Sequence, residues 1–266
     1  MSGQQGVGTT TTTADAGEFG FTLWVDYFVL NRSRHPAMES EIRWDAPCRL
    51  PEATRRAFIR SFQRFQLGEG GDGVHLLARA ERAGDPAYTR ALALLVEEEQ
   101  KHSRLFARGL DHLNGSTLSS HWSDAVFTRF RRMLGLRTEI ALFLIAEATA
   151  MEYFRALATS APDPVLRGIG RRISTDEVEH LRFQVDRLGA GFAGTSAIGR
   201  VFLGLAWGVV AAGASTVLAV DHRGALLACG LRPATYWARA MRQFRRSATD
   251  ALGASASAIR GPSVRP

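Results

Sequence analysis

Two short stretches place a glutamate one helical turn ahead of a histidine: Glu99 and His102 within EEEQKH (97–102), and Glu177 and His180 within DEVEH (176–180). At that spacing each pair projects from one helix face. A carboxylate beside an imidazole is mixed oxygen and nitrogen ligation, which suits iron or manganese better than a sulfur-rich zinc or copper site does. One such pair on a charged helix is ordinary. Two carry more weight, because each follows a further glutamate on an apolar face at the same distance. The interval from Glu69 to Glu99 equals that from Glu147 to Glu177.

Helices must position these residues, and the apolar spacing supplies them. Phe58, Phe62, Phe65 and Glu69 fall at steps of four, three and four, and Leu136, Ile140, Phe143, Glu147, Met151 and Phe154 keep the same rhythm. Leu92, Leu95, Glu99, His102 and Phe106 form a third stripe, and Ile169, Ile173, Glu177, His180 and Gln184 a fourth. AGDPA (83–87) and APDPV (161–165) each offer an aspartate cap followed by a proline, so Asp85 and Asp163 should open the second and fourth helices. Glu69 stands as far before Asp85 as Glu147 does before Asp163. Glu99 follows Asp85 at nearly that distance, and Glu177 follows Asp163 in the same way. Folded as two antiparallel hairpins, all four glutamates and both histidines reach one level of a buried core.

Four desolvated carboxylates without counter-charge would cost several kcal/mol each, and two divalent cations would resolve that. At this point the chain resembles the ferritin-like di-iron carboxylate superfamily. FQLGEGGDG (65–73) looks like its first-helix motif, EEEQKH and DEVEH like its second and fourth, and LIAEATAMEYF (144–154) like its third. The resemblance covers roughly residues 51–190 and implies an all-α four-helix bundle made of two helical hairpins. It implies two iron ions, or manganese, held by Glu69, Glu99, His102, Glu147, Glu177 and His180. It also implies an oxidoreductase that uses O2 to oxidise or hydroxylate a small organic substrate. Peroxide or iron handling of the rubrerythrin or ferritin kind is the alternative within the family. A membrane-associated helical protein with structural carboxylates is the alternative outside it. No cysteine-rich module accompanies the motifs, so electrons would come from an external donor such as an acidic ferredoxin.

Neighbouring polar residues read as peripheral. Glu97, Glu98 and Glu179 are displaced from the apolar stripes and should face solvent. Glu152 and Asp72 are candidate extra carboxylates. His75, His112, His121 and His222 have no partner at ligand spacing and should be surface or capping residues. Gly68, Gly70, Gly71 and Gly73 leave two readings open, a break in the first helix or room beside the metals for a substrate or oxygen.

The remaining chain sets the context. Residues 1–20 form a polar tail expected to be disordered. Their lack of a basic and an apolar signal region, together with two isolated cysteines, Cys48 and Cys229, points to the cytoplasm. Residues 21–50 should cover the core through the short apolar run FTLWVDYFVL (22–31), as a strand or a helical turn. Residues 113–124 form the crossover between hairpins, and part of 124–135 is expected to be a short helix. The stretch 201–220 carries no charged residue. It should be a buried helix or a homodimer contact, with membrane attachment as the other reading. Further helices over 191–250 should pack on the bundle or at an interface, and 251–266 should be a flexible tail. The net charge of +7, almost all arginine, suits an acidic electron donor. An oxidase acting on tRNA is a weaker reading, because RQFRR (242–246) is the one dense basic run.

Overall fold

The computed structural model describes residues 14–119, 135–253 and 259–263, and among these every regular element is a helix. In chain order they are α1 (Ala14–Ser40), α2 (Glu52–Glu69), α3 (Val74–Arg82), α4 (Pro86–His112) and α5 (Leu136–Ser160). Then come α6 (Pro164–Gly191), α7 (Ala197–Asp221), α8 (Arg223–Ala228) and α9 (Pro233–Gly253). The expected helix within 124–135, apart from Gly135, lies outside the described residues, as do His121 and the stretch 1–13.

The two aspartates open their helices. Asp85 accepts a hydrogen bond from the Tyr88 amide at 2.8 Å. Asp163 accepts from Val165 and Leu166 at 2.8 and 3.1 Å. Each is followed by a proline whose missing amide hydrogen is no loss at that position. The first bundle helix ends at Glu69, so the glycine run is a break. Gly73 sits at φ +66°, and a Cβ placed there would lie 2.9 Å from both Val96 methyls. Backbone conformation and close approach therefore both demand glycine. Asp72 then accepts from the Val74 amide at 3.2 Å and starts α3.

The helix α2 packs along α4, α5 packs along α6, and α4 and α6 touch each other. Two apolar clusters fill this assembly. One gathers Tyr88, Leu92, Leu95, Ile145, Ala148 and Phe183; the other gathers Phe58, Phe62, Phe106, Phe154, Ile169 and Ile173. On α4 the sequence between Leu95 and Leu105 carries Glu99 and His102, and on α6 the sequence between Ile173 and Phe183 carries Glu177 and His180. The polar layer is thus sandwiched between two hydrophobic ones.

The N-terminal region differs from expectation. Instead of a short strand or turn it is the long helix α1, lying against α4 and reaching α6. Phe21, Trp24, Phe28, Asn31 and His35 are all buried, at steps of three, four, three and four. Asn31 and His35 extend the stripe beyond the apolar run, which is why the run alone understates the helix. Trp24 Nε1 donates to Asp186 of α6 at 3.0 Å. At the other end α9 packs on α5, α6 and α7. Residues 259–263, expected within a flexible tail, are held on α6. The amides of Arg260 and Gly261 donate to Asp186 at 3.2 and 3.0 Å, and that of Ser263 donates to Glu179 at 3.0 Å.

Candidate metal centre

The centre of the polar layer is a cluster of two histidines and two glutamates from α4 and α6. One ligand atom each from Glu99, His102, Glu177 and His180 lies within 4.8 Å of all the others. His180 Nδ1 is 2.7 Å from Glu99 Oε1 and 3.9 Å from Glu177 Oε1. His102 Nδ1 is 3.3 Å from Glu177 Oε1 and 3.6 Å from Glu99 Oε2. The imidazoles lie 5.5 Å apart at 30°. Glu69, at the last turn of α2, and Glu147, on α5, face the same cluster, since the charges of Glu99 and Glu177 act on both. Gln184 Nε2 fixes Glu147 through a 2.5 Å hydrogen bond to Oε1. The structure therefore brings four of the six residues singled out by spacing within ligand reach of one another, with Glu69 and Glu147 near enough to feel the charges of Glu99 and Glu177.

Behind the cluster stands a second set of charges. His102 Nε2 is 2.9 Å from Asp176 Oδ2, and His180 Nε2 is 3.0 Å from Glu98 Oε2. Ionised carboxylates only accept, so each imidazole donates its Nε2 hydrogen outward and turns Nδ1 to the cluster, as a lone pair whenever the ring is neutral. His35 from α1 sits between the two outer carboxylates, its Nε2 3.4 Å from Asp176 and 3.6 Å from Glu98. The Lys101 ammonium donates to His35 Nδ1 at 3.1 Å, leaving the His35 Nε2 hydrogen aimed at those acids. Arg172 also donates to Asp176.

These outer residues correct the reading of the glutamate run. The stripe pattern sends Glu98 and Glu179 to solvent, yet both are buried, and Glu179 takes the Ser263 amide and hydroxyl. The cause is that α4 and α6 are central helices. The helix α4 is covered by α2, α6 and α1, so its buried surface is wider than one stripe. The series Tyr88, Ala91, Leu95, Glu98, His102, Leu105 and Gly109 runs at alternating steps of three and four, and that spacing was the available signal. Glu97 does face solvent, paired with Arg32 at 2.5 Å. Neither extra carboxylate reaches the cluster: Glu152 pairs with Arg155 at 2.6 Å, and Asp72 serves as a cap. His75 is exposed, and His112 lies 3.1 Å from the capping aspartate Asp163.

His222 likewise departs from the surface position its spacing suggests and is buried. The short helix α8 lies against α2, placing His222 Nδ1 2.7 Å from Ser61 Oγ, which is itself 2.6 Å from the Tyr153 hydroxyl. Burial, aided by the nearby Arg64 charge, pushes the His222 pKa down to about 3.

The electrostatics of the cluster call for positive charge. Burial, reinforced by repulsion among the acids, raises the pKa of Glu69, Glu147 and Glu177 above the usual carboxylate range. Burial would raise Glu99 as well, but His180 and His102 hold it well below that range. Both histidines are desolvated, yet the surrounding carboxylates raise them well above ordinary imidazole. Without a cation the site gathers protons to balance itself.

A test of fit lies in the buried polar atoms that make no well-aligned hydrogen bond. They include His102 Nδ1, His180 Nδ1, Glu99 Oε1, Glu147 Oε2 and both Glu177 oxygens, although His180 Nδ1 and Glu99 Oε1 lie 2.7 Å apart. Such atoms are rare in folded proteins, and these six belong to residues of the one cluster. They are two imidazole nitrogens and four carboxylate oxygens, which once deprotonated are a donor set for hard to borderline divalent cations. Comparison with protein-family models, with curated proteins and with solved structures gives no match.

Proposed function

We propose that this chain is a ferritin-like di-iron carboxylate protein, with iron or manganese held by Glu69, Glu99, His102, Glu147, Glu177 and His180. The reading is that it uses O2 to oxidise an organic substrate. The observation that carries the metal assignment is the grouping of Glu99, His102, Glu177 and His180 within 4.8 Å, with six buried polar atoms of the cluster making no well-aligned hydrogen bond, between two apolar clusters.

In this reading each histidine gives Nδ1 to one metal, while Asp176 and Glu98 fix its ring and its tautomer. Glu99 and Glu177 lie near both imidazoles and would hold the metals alongside them. Glu69 and Glu147, one from each flanking helix, complete the set. A metal pair bound here would supply the redox chemistry for O2. The apolar layers limit water at the cluster, where both histidines and Glu177 are buried and Glu69, Glu99 and Glu147 are half-buried. Nothing in the cluster resembles a resident electron carrier, so reduction falls to an external donor, and the net charge of +7 favours an acidic protein. Cys48 and Cys229 are both unpaired, which suits the reducing conditions of the cytoplasm.

The test is elemental analysis of protein produced in iron- and manganese-supplemented medium, beside Glu99→Ala and His180→Ala. The expected result is about two metals per chain in the parent protein, lost in both variants. A folded parent protein that takes up neither metal under anaerobic reconstitution would sink the assignment.

A further inference from the structure

The helix α7 buries one narrow stripe, Trp207, Ala211, Ser215 and Ala219, against the rest of the molecule. Its other face is open. Ile198, Val201, Phe202, Leu205, Val209 and Val220 are each 62–75% exposed, and no described residue covers them. From Ala197 to Val220 the one charged residue is Arg200. Its guanidinium is turned back onto the carbonyls of Ala193, Thr195 and Leu252. A continuous apolar face of this length is rare on a monomeric soluble protein and marks an interaction surface.

The rim says what kind. Trp237 of α9 donates its indole hydrogen to Thr216 Oγ1 at 3.1 Å, so an amphipathic ring stands at the border of the apolar face. Arg242 and Arg245 are exposed on α9, beside Met241, which contacts Ser215 of α7. Arg223 and Arg232 are exposed near the C-terminal end of α7. The acid at that end, Asp221, is tied to Arg64 at 2.6 Å. An apolar helix face edged by arginine and tryptophan is the composition of a helix that lies in a membrane interface.

We propose that this face binds the surface of an anionic bilayer, with α7 lying in the plane of the interface. A second copy of the chain fits less well, because a two-fold pairing brings the same patch from each copy together and sets the two arginine rims against each other. Spanning fits less well too. The buried stripe holds α7 lengthwise on α5 and α9, although the helix is long and apolar enough to cross a membrane.

The full chain should be tested by co-sedimentation with vesicles of phosphatidylcholine alone and with added phosphatidylglycerol, with light scattering in parallel. The expected result is partition onto the phosphatidylglycerol vesicles that weakens as salt is raised. Arg242→Ala and Arg245→Ala should each weaken it about fivefold. Leu205→Glu combined with Val209→Glu should abolish it while leaving the circular dichroism unchanged, since neither side chain is packed. Failure to partition overturns the proposal, and a dimer dissociated by the same double variant then assigns the face to a second copy. Binding that only detergent reverses also overturns it, in favour of an integral segment. None of these outcomes depends on the metal centre, which lies on other helices.

Discussion

At the scale of single residues, the six clustered donors were legible from spacing, whereas the groups behind them were not. Glu98 and Asp176 each sit next to a residue of the doubled motif; a reading based on one stripe per helix sends Glu98 to solvent and assigns Asp176 no role. They are buried because α1 closes the other side of α4 and reaches α6, setting His35 between them. Each fixes the outward nitrogen of one histidine, and loss of such a partner typically costs about 10–100-fold in metal affinity. Asp176→Asn and Glu98→Gln should therefore weaken binding by about that factor in chelator competition. Glu97→Gln, exposed beside them, should change nothing; equal losses in all three would argue for a diffuse charge effect. His222 supports a second prediction. Its pKa falls from the ordinary value near 6.5 to about 3 on folding, so between those values the unfolded chain binds a proton that the folded chain refuses. Stability should fall as pH drops through that window, by up to about 1.4 kcal/mol per unit from this group. Gln at position 222 can still bond Ser61 and does not titrate, so denaturant unfolding of His222→Gln between pH 4 and 6 should show a shallower slope. Parallel slopes would mean that His222 is charged in the folded state.

At the scale of elements, the matched intervals between glutamates placed the helices in register because capping is local chemistry. An aspartate followed by proline opens a helix whatever packs on it. The break after Glu69 is less local. A glycine run weakens a helix, but whether the chain turns there depends on what stands across from it, and in this fold that is Val96. Gly73→Ala meets a left-handed backbone and two methyls at once, so it should cost about 2 kcal/mol or more. Shortening Val96 to Ala should recover only the steric part. In a double-mutant cycle on the denaturation midpoints, full recovery by Val96→Ala would show that the positive φ carries no strain. The helix α1 teaches the same lesson from the other direction. Its buried stripe from Phe21 to His35 has heptad spacing, but two of its five members are polar. Apolarity alone hides them, and only the presence of the outer carboxylates explains why a histidine belongs at position 35.

At the scale of the whole molecule, the question is what holds a layer of acids between two apolar clusters. Without a cation the balance is kept by protons, with raised pKa values on three glutamates and both histidines. That balance is costly in desolvation, and the inner atoms of the layer still make no well-aligned hydrogen bond. A divalent pair displaces those protons and satisfies the atoms, and because it binds the folded chain alone it must raise the unfolding midpoint. At free metal about 100 times Kd the stabilisation is about 2.7 kcal/mol per site, or roughly 5–10 °C for a chain of this size. The sign of the pH dependence follows from the same groups. Metal competes with protons on ligands whose folded pKa values are raised, so affinity should fall as pH is lowered and metal uptake should release protons. The difference in midpoint between iron- or manganese-loaded and chelated protein, followed by calorimetry, should therefore be largest above neutral pH and shrink toward pH 6. In Glu99→Ala it should be absent at every pH. If chelation leaves the midpoint of the parent protein unmoved above neutral pH, protons alone suffice to hold the layer and the cluster is a structural network. A midpoint that rises with metal in Glu99→Ala as well would place the binding elsewhere on the chain.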